Sequence, residues 1–577
     1  MPLPASPRLE TAYRIAARFA LGAALAGLAF LLAEDGLRLD VPSAVPAAAR
    51  MVYRLAIALF AAQAALRVLT RGARASPRGV VVDLALAAIA ALAMRSSASP
   101  VGPFGVVLAR QMVAVLGILY HAPRMRGVLE ALEESPFRMV SLSFVALVLL
   151  GTALLVLPAA SASPGSIGFV DALFTATSAV CVTGLASVST EHAWSLFGKG
   201  VILALIQAGG LGIMALSASV VLLLGQRMAV RQRAVVASAL DASTVAELRA
   251  VLTNLLLLTI GFELAGAMCL MLRFAADLDG WTQPAWYGAF HAVSAWNNAG
   301  FSLWDTNLMA YASDPVVNLV VAGLITGGGL GPLVLLPLVG VREYYRKGIR
   351  KTIRGWGTHV KLVLSTSVIL VISGTLALLF FEFDAGFREL DPTAKVLAAF
   401  FHSVSARTAG FNTVDIGGLS PVGLLVLCIL MFIGASSGST GGGIKTTTFA
   451  VLVLALRASL TERPEVEVFR RRIAPLTTLR SIAIALMAGF AVLFFFGALL
   501  AVEPDKRFEH LFFETVSAFG TVGLSTGITP ALSVHGKLLI VALMFMGRIG
   551  PLTVAIAIGS APRGAAVGYP EGRILVG

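Results

Sequence analysis

Four short segments of the chain share an arrangement of residues that suits the binding of a bare cation by the backbone. In each, a small or polar run ends in a glycine followed by Leu or Phe, and a phenylalanine lies nine or ten residues before the glycine. The four glycines, 110 to 116 residues apart, are Gly184, Gly300, Gly410 and Gly523. Rings of backbone carbonyls can hold a dehydrated cation, but they require dihedrals that glycine adopts freely. The segments therefore predict one carbonyl ring built from four repeats.

The residues around these glycines are the candidate ligands. Because backbone carbonyls would coordinate the ion, the side chains can differ between the four copies. The predicted cation-binding residues are Val182, Thr183, Gly184, Asn298, Ala299, Gly300, Thr408, Ala409, Gly410, Thr521, Val522 and Gly523. The alternative, helix C-caps before ordinary loops, explains one or two of the glycines but not their shared context.

A repeated order of apolar segments would position the ring. Each repeat begins with a long apolar helix, continues with a helix too short to cross a membrane and the glycine segment, and ends with a second long helix. A short helix that stops in mid-membrane points its carbonyl end, about half a negative charge, at a bound cation. The predicted short helices cover 170–180, 285–296, 394–405 and 507–519, and the predicted returning helices cover 199–223, 315–339 and 536–558, with the one in the third repeat interrupted.

The composition fits this arrangement. The chain is 57% hydrophobic and 13% charged, and apolar stretches of about 20 residues, enough to cross a bilayer, recur along it. The sequence predicts an all-α polytopic membrane protein, with four membrane–pore-helix–membrane repeats around a central pore and about four extra N-terminal transmembrane helices. The predicted repeats span 136–249, 250–357, 358–479 and 480–577, and the N-terminal region, 1–135, has candidate spans at 12–33, 51–69, 79–95 and 104–121.

The net charge of +13 is unevenly distributed. Loops 225–249, 341–361 and 457–480 carry 4, 7 and 6 Lys or Arg residues, whereas the stretches around the four glycines together carry 7 basic and 15 acidic residues. Basic loops stay in the cytoplasm, so the glycine segments should face outward, where acidic residues concentrate cations. This distribution argues against nucleic acid as a partner. The three cysteines lie in or beside apolar segments and imply no disulfide framework.

A second candidate site interrupts the third repeat. Five glycines and three serines lie within the ten residues of Gly434-ASSGSTGG-Gly443, a composition that breaks a helix. A flexible break at membrane depth, just inside the carbonyl ring, predicts a gate in segment 434–445, with Gly434, Gly438, Gly441, Gly442, Gly443 and Lys445 as its candidate residues. A helix kink without a gating role and a phosphate-binding loop are the alternatives. The second has one residue too many before the lysine and no preceding strand.

Arg548 is predicted to act with this segment. Apolar stretches flank it on both sides, and an arginine in hydrocarbon must face a cavity or a partner. We expect Arg548 to project below the ring and bond the gate, although an arginine that snorkels to the surface is the alternative. Lys445 is expected to reach the membrane interface or a partner. His291 and His402 are interpreted as satisfied residues of the short helices and not as proton carriers.

Three strings resemble the Trk/Ktr/HKT superfamily of potassium transporters: Asp171-ALFTATSAVCVTGL-Ala186, Val404-SARTAGFNTVD-Ile416 and Gln207-AGGLGI-Met214. The resemblance covers about residues 136–560 and is nearest to the KtrB/TrkH membrane subunits. It implies potassium as the transported ion, a selectivity filter at the four glycines and an intramembrane gating loop at 434–445. Gly184 matches the potassium-selective pattern, since relatives with serine in the first repeat favour sodium. It also implies a homodimer that works with a separate nucleotide-binding, KtrA/TrkA-like cytoplasmic subunit.

Together these features predict potassium uptake across the bacterial inner membrane. A carrier for an organic substrate would show two related halves with matching broken helices, whereas this chain shows four related quarters. An enzyme would need a catalytic cluster, which the sequence does not offer. The only expected ligand of the chain is K⁺, because any nucleotide would bind the regulatory subunit. The basic loops 341–361 and 457–480 would contact that subunit or anionic lipid headgroups.

Overall fold

The computed structural model describes residues 136–163, 167–212, 245–340 and 348–550, and parts of 15–65. Helices dominate these ranges, as the composition predicts. The strands found there are Glu467–Val468 (β1) and Arg471–Arg472 (β2), which pair antiparallel as a small hairpin. The predicted N-terminal spans over 79–95 and 104–121 lie outside the described residues, and those over 12–33 and 51–69 are described only in part.

The helices follow one order four times: a long helix, a short helix and a returning helix. The first unit contains α1 (Pro136–Val156), α2 (Phe169–Val180) and α3 (Leu196–Leu211). The second contains α4 (Val245–Phe274), α5 (Thr282–Trp296), α6 (Pro315–Leu330) and α7 (Pro332–Val339), and α8 (Ile349–Gly355) follows it. The third contains α9 (Thr358–Glu382), α10 (Pro392–Ser405), α11 (Pro421–Phe432) and α12 (Thr446–Leu460). The fourth contains α13 (Pro475–Val502), α14 (Phe508–Gly520) and α15 (Val534–Ile549).

Each returning helix begins at a polar N-cap. The side chains of Ser195, Ser420 and Ser533 accept a hydrogen bond from the backbone N–H three residues later, at 3.1 to 3.2 Å. Asp314 accepts from the N–H groups of Val316 and Val317. Such caps satisfy donors that the first helical turn leaves free, so they fix the point at which the chain turns back.

The returning helices are shorter than the sequence predicts. The prediction of one continuous helix over 315–339 is wrong: α6 ends at Leu330, and α7 leaves Gly331 at a bend of 115°. Gly331 has φ +73°, and the following Pro332 has no N–H with which to continue the helical hydrogen-bond ladder. The helices α3 and α15 end likewise before Gly212 and Gly550, which also have positive φ. The predicted continuations to 223 and 558 lie outside the described residues.

Three helices of the described ranges are long and apolar enough to cross a membrane: Thr253–Phe274, Thr358–Glu382 and Pro475–Val502. The bent pair formed by α6 and α7 would be a fourth if it counts as one span. The chain thus has the character of a multi-pass membrane protein. Fewer full spans are found in these ranges than the sequence predicts for the whole chain. Breaks shorten the returning helices of the second and third units, and several predicted spans lie outside the described residues.

The short helices pack between returning helices in a cyclic order. The pairs in contact are α3 with α5, α6 with α10, α11 with α14, and α15 with α2. The last pair joins the end of the chain to its beginning, which closes the circle. The phenylalanines that precede the glycines, Phe174, Phe290, Phe401 and Phe513, are fully buried. Burial of each such side chain contributes about 1.5–3 kcal/mol, so the recurrent phenylalanines anchor the short helices.

Candidate functional site

The four predicted glycines meet in a closed ring. A Cβ atom built on any of them would lie less than 3.0 Å from the carbonyl oxygen of the residue before the next glycine. The glycine and carbonyl pairs are Gly184 with Ala299, Gly300 with Ala409, Gly410 with Val522, and Gly523 with Thr183. Because the fourth pair returns to the first segment, the four segments surround a single axis.

Each ring segment has left-handed backbone dihedrals at two positions, the glycine and the residue two before it. The four glycines have φ between +68° and +95°. Val182, Asn298, Thr408 and Thr521, each two residues before a glycine, also have positive φ, between +48° and +75°. Left-handed values at non-glycine residues are uncommon and strained. The strain falls in the same place in all four segments, and the sequence signals it only at Asn298, because asparagine adopts such values more readily than valine or threonine.

Serines in the short helices hold the ring segments from behind. The N–H groups of Gly184 and Gly523 donate to the hydroxyls of Ser178 and Ser517, at 3.0 and 3.1 Å. In the other two segments the direction reverses: Ser294 and Ser405 donate to the carbonyls of Phe301 and Phe411, at 2.8 and 2.5 Å. The ring conformation is therefore braced by one hydroxyl in each unit.

The residue after each buried phenylalanine gives a second brace in three units. His291 Nε2 lies 3.0 Å from the Ser302 hydroxyl, and His402 Nε2 accepts from the Thr413 N–H at 3.3 Å. In the fourth unit Glu514 accepts from the N–H of Thr526 at 3.1 Å. Both histidines are buried and hydrogen-bonded, as the sequence interpretation expects. Glu514 escaped the sequence analysis, although its place directly after Phe513 matches that of the histidines.

A cavity of about 560 Å³ opens on one face of the ring. Gly184, Gly300 and Gly523 line it, and Asp305 and Asp415 add acidic groups to its wall. The lining residues belong to the ring glycines and the loops that follow them. A cation that approaches the ring from this face meets negative charge first.

The glycine-rich segment 434–443 lies against the opposite face. Cβ atoms built on Gly441 and Gly442 would collide with the hydroxyls of Thr408 and Thr521, which precede the ring glycines. The Thr440 hydroxyl lies 3.2 Å from the side-chain amide of Asn298. The segment therefore touches three of the four ring segments, and only glycine fits at the two closest positions.

Hydrogen bonds hold this segment to the break in the second unit. Ser436 donates from its hydroxyl to the Leu330 carbonyl at 2.6 Å and from its N–H to the Gly329 carbonyl at 3.1 Å. A parallel bridge joins Ile433 to Ile444, so the segment forms a closed loop. Gly438 and Gly443 supply positive φ, at +77° and +66°, and a Cβ on Gly434 would collide with the Gly442 carbonyl.

Arg548 connects this loop to the first unit. Its guanidinium donates to the carbonyl of Thr440 and, at 2.5 Å, to the carbonyl of Gly209. The position of the Lys445 side chain differs from the prediction that it reaches the membrane interface or a partner. Its Nζ turns back and donates to the Gly441 carbonyl at 2.7 Å, because the carbonyl of the tight loop lies within reach. Two cationic side chains thus bind neighbouring carbonyls directly below the ring.

The chain is similar to a known family and to several characterised proteins. The TrkH family, described as "Cation transport protein", matches residues 112–569. The Ktr system potassium uptake protein B of Bacillus subtilis is 36% identical over 453 residues, which cover 78% of this chain and 98% of the relative. The protein of the same name from Vibrio alginolyticus is 39% identical over 442 residues, or 76% and 94% of the two chains.

Two further proteins extend the comparison. The potassium/sodium uptake protein NtpJ of Enterococcus hirae is 34% identical over 450 residues, covering 77% of this chain and 97% of the relative. The crystal structure of the potassium transporter TrkH from Vibrio parahaemolyticus superposes with a TM-score of 0.59, at 19% identity, over 88% of this chain and 97% of that one. It supports the fold alone. The family is one of transport proteins and not of enzymes. The chain belongs to the TrkH family of cation transport proteins.

Proposed function

We propose that the chain moves potassium inward across the membrane, down its electrochemical gradient, through the ring of four glycines. The observation that carries the proposal is the closed contact of each glycine with the carbonyl before the next one. Relatives at 34 to 39% identity are named for potassium uptake, one of them also for sodium. In this proposal the units are the four pore repeats, with boundaries at 136–249, 250–357, 358–479 and 480–577.

Selectivity would come from the ring. The carbonyls of Thr183, Ala299, Ala409 and Val522 lie at the contacts between neighbouring segments and would replace the hydration shell of K⁺. The four residues with positive φ, two positions before the glycines, would add carbonyls on the inner side. The short helices α2, α5, α10 and α14 end just before the ring, so their carbonyl ends would favour a cation there.

The glycine-rich loop would be the gate. Residues 434–445 cover the face of the ring opposite the acidic cavity, and Arg548 and Lys445 bind the carbonyls of Thr440 and Gly441. A loop in that position obstructs an ion that leaves the ring, and two positive charges repel it. Transport would require the loop and both side chains to move aside.

Membrane placement follows from charge. The acidic cavity would face outward and the basic loops inward, in the cytoplasmic membrane of a bacterium. Arg350 and Arg354 in α8, and Arg470 to Arg472 at the β1–β2 hairpin, are exposed. These bases would dock a separate KtrA/TrkA-like nucleotide-binding subunit, or anionic lipid headgroups, and two copies of the chain would form a homodimer.

Growth and uptake measurements test the proposal. A bacterium that lacks its own potassium uptake should grow at low potassium when this chain is expressed, with its regulatory subunit where one is required. The control is the same strain with the Gly184→Asp variant, because a carboxylate cannot fit within the ring. The purified protein, reconstituted in vesicles, should then take up rubidium, a potassium analogue. This uptake should need no other subunit and no nucleotide. Growth equal to the empty strain, with the protein folded in the membrane, contradicts the proposal.

A further inference from the structure

A carboxylate lies on a helix of membrane-spanning length and composition, behind one segment of the ring. Glu263 belongs to α4, within the apolar stretch Thr253–Phe274, where the other charged residue is Arg273 in the last turn. Charged residues in the apolar part of a spanning helix are costly, and they usually serve a function with a specific partner. Glu263 is half-buried, and its partners identify the site that it serves.

Both oxygens of Glu263 bind amides from other elements. Oε1 accepts from Asn297 Nδ2 at 3.1 Å, and Oε2 accepts from Gln207 Nε2 at 3.4 Å. The Asn297 amide also donates to Gln207 Oε1 at 2.9 Å. The three side chains come from α3, from α4 and from the end of α5, and they form one closed cluster that we call the amide–carboxylate cluster. It joins the first unit to the second.

The cluster is adjacent to the ring backbone. Asn297 is the C-cap of α5 and is fully buried. The next residue, Asn298, has φ +59° and contacts both the Thr408 hydroxyl, at 3.3 Å, and the Thr440 hydroxyl of the gate loop. A displacement of Asn297 would therefore move the ring segment of the second unit and its contact with the loop.

Among the described residues, a carboxylate bound to the side chain three residues before the ring glycine is found in the second unit alone. The residues three before the ring glycine in the other units are Cys181, Arg407 and Gly520. In the part of the chain that the structure describes, no carboxylate forms a hydrogen bond or ion pair with the side chain of Cys181 or Arg407, and Gly520 has no side chain. When ionised, a carboxylate on one side of the ring strengthens the attraction for a cation in the low-dielectric interior. Glu263 can thus affect the ring in two ways: it holds Asn297 in position, and its charge attracts a cation.

We propose that Glu263 is a positioning residue that, through Asn297, sets the cation affinity of the ring by its negative charge. The inference rests on the proposed function of the ring. It differs from a purely architectural role, in which any residue that accepts a hydrogen bond from Asn297 would serve. The glutamine side chain separates the two, because it keeps the shape and one acceptor but removes the charge.

Rubidium uptake into vesicles gives the test, with the KM and the maximal rate measured separately. Glu263→Gln is expected to raise the KM by a factor on the order of 3 to 10, with a smaller change in maximal rate. Glu263→Asp keeps the charge and should stay nearer to the wild type. The control Glu462→Gln removes an exposed carboxylate and should change neither value. In the Asn297→Ala background, Glu263→Gln should have a smaller effect, since coupled residues are not additive.

Potassium-dependent stabilisation of the purified protein against heat gives a second readout that needs no transport. The Glu263→Gln variant should require a severalfold higher potassium concentration for half of the stabilisation. If wild-type protein responds to potassium in both assays and Glu263→Gln matches it, the inference fails and the proposed function stands. If Glu263→Asp is impaired more than Glu263→Gln, the charge has no role and the inference fails as well. A wild-type chain that neither takes up nor binds potassium or rubidium overturns both proposals.

Discussion

Arg548 and Gly209 are joined by a hydrogen bond from the guanidinium to the backbone carbonyl, at 2.5 Å. They lie 339 residues apart in the chain, so this contact ties the end of the fourth unit to the first. The same guanidinium binds the Thr440 carbonyl of the glycine-rich loop. One side chain thus holds the loop in place below the ring of glycines.

Loss of this side chain should open the pathway. We expect Arg548→Gln to increase rubidium flux into vesicles severalfold, because the neutral amide neither repels a cation nor binds both carbonyls. Arg548→Lys keeps the charge and should give a smaller increase. Arg457→Gln, an exposed change at the end of α12, is the matched control. A folded Arg548→Gln protein with unchanged or reduced flux would contradict the role of Arg548 in the gate.

Removal of the loop tests the gate more drastically. We expect deletion of residues 434–443 to raise rubidium flux, because the loop lies against Thr408 and Thr521 on the inner face of the ring. Gly441→Ala is a milder version, since its Cβ would collide with the Thr408 hydroxyl and push the loop away. Rubidium flux into vesicles, measured for both variants, tests whether the loop obstructs the pathway. Unaltered flux in both would remove the gating proposal and leave the ring assignment untouched.

The ring itself is tested at Gly184. Gly184→Ser places a Cβ against the Ala299 carbonyl at φ +94°, so we expect the carbonyl to shift and sodium to compete with potassium more effectively. Gly200→Ser is the control, because no atom lies within 4 Å of a Cβ at that glycine. Inhibition of rubidium uptake by sodium measures the preference. The same preference in wild-type and Gly184→Ser protein would count against the filter assignment.

A buried carboxylate at the end of α9 should stabilise the third unit. Glu382 accepts hydrogen bonds from the N–H groups of Gly386, at 2.9 Å, and Ser420, at 3.2 Å. Glu382→Ala leaves these donors unsatisfied, at a cost of about 1–3 kcal/mol in the free energy of unfolding. Thermal unfolding of the purified protein measures this loss of stability, and the exposed Glu389→Ala variant is the control. Equal unfolding temperatures for the two variants would show that the carboxylate is dispensable.

The sequence predicted the short helices well and the returning helices poorly. The short helices lie within three residues of their predicted bounds, because apolar length and the spacing of phenylalanine and glycine are local properties. The break at Gly331 was missed because apolar residues continue on both sides of it. The pair Gly331-Pro332 is a sequence signal for a helix break. The continuous apolar stretch nevertheless favours a single helix.

The contacts between units could not be predicted from the sequence. The glycine spacing predicted one ring, but it did not predict that Val182 and Thr521 take positive φ. The sequence predicts that Lys445 reaches the membrane interface or a partner, whereas the structure shows it bound to the Gly441 carbonyl of its own loop. The sequence gives no signal for Glu263, since its partners Gln207 and Asn297 come from distant parts of the chain.

The most direct test of the central claim is a crystal structure of the protein with thallium or rubidium, read from the anomalous scattering of the ion. The account predicts a strong peak on the axis of the ring, at coordination distance from the carbonyls of Thr183, Ala299, Ala409 and Val522. A ring without a peak in a crystal that binds the ion elsewhere, or four glycine segments that do not meet, would contradict it.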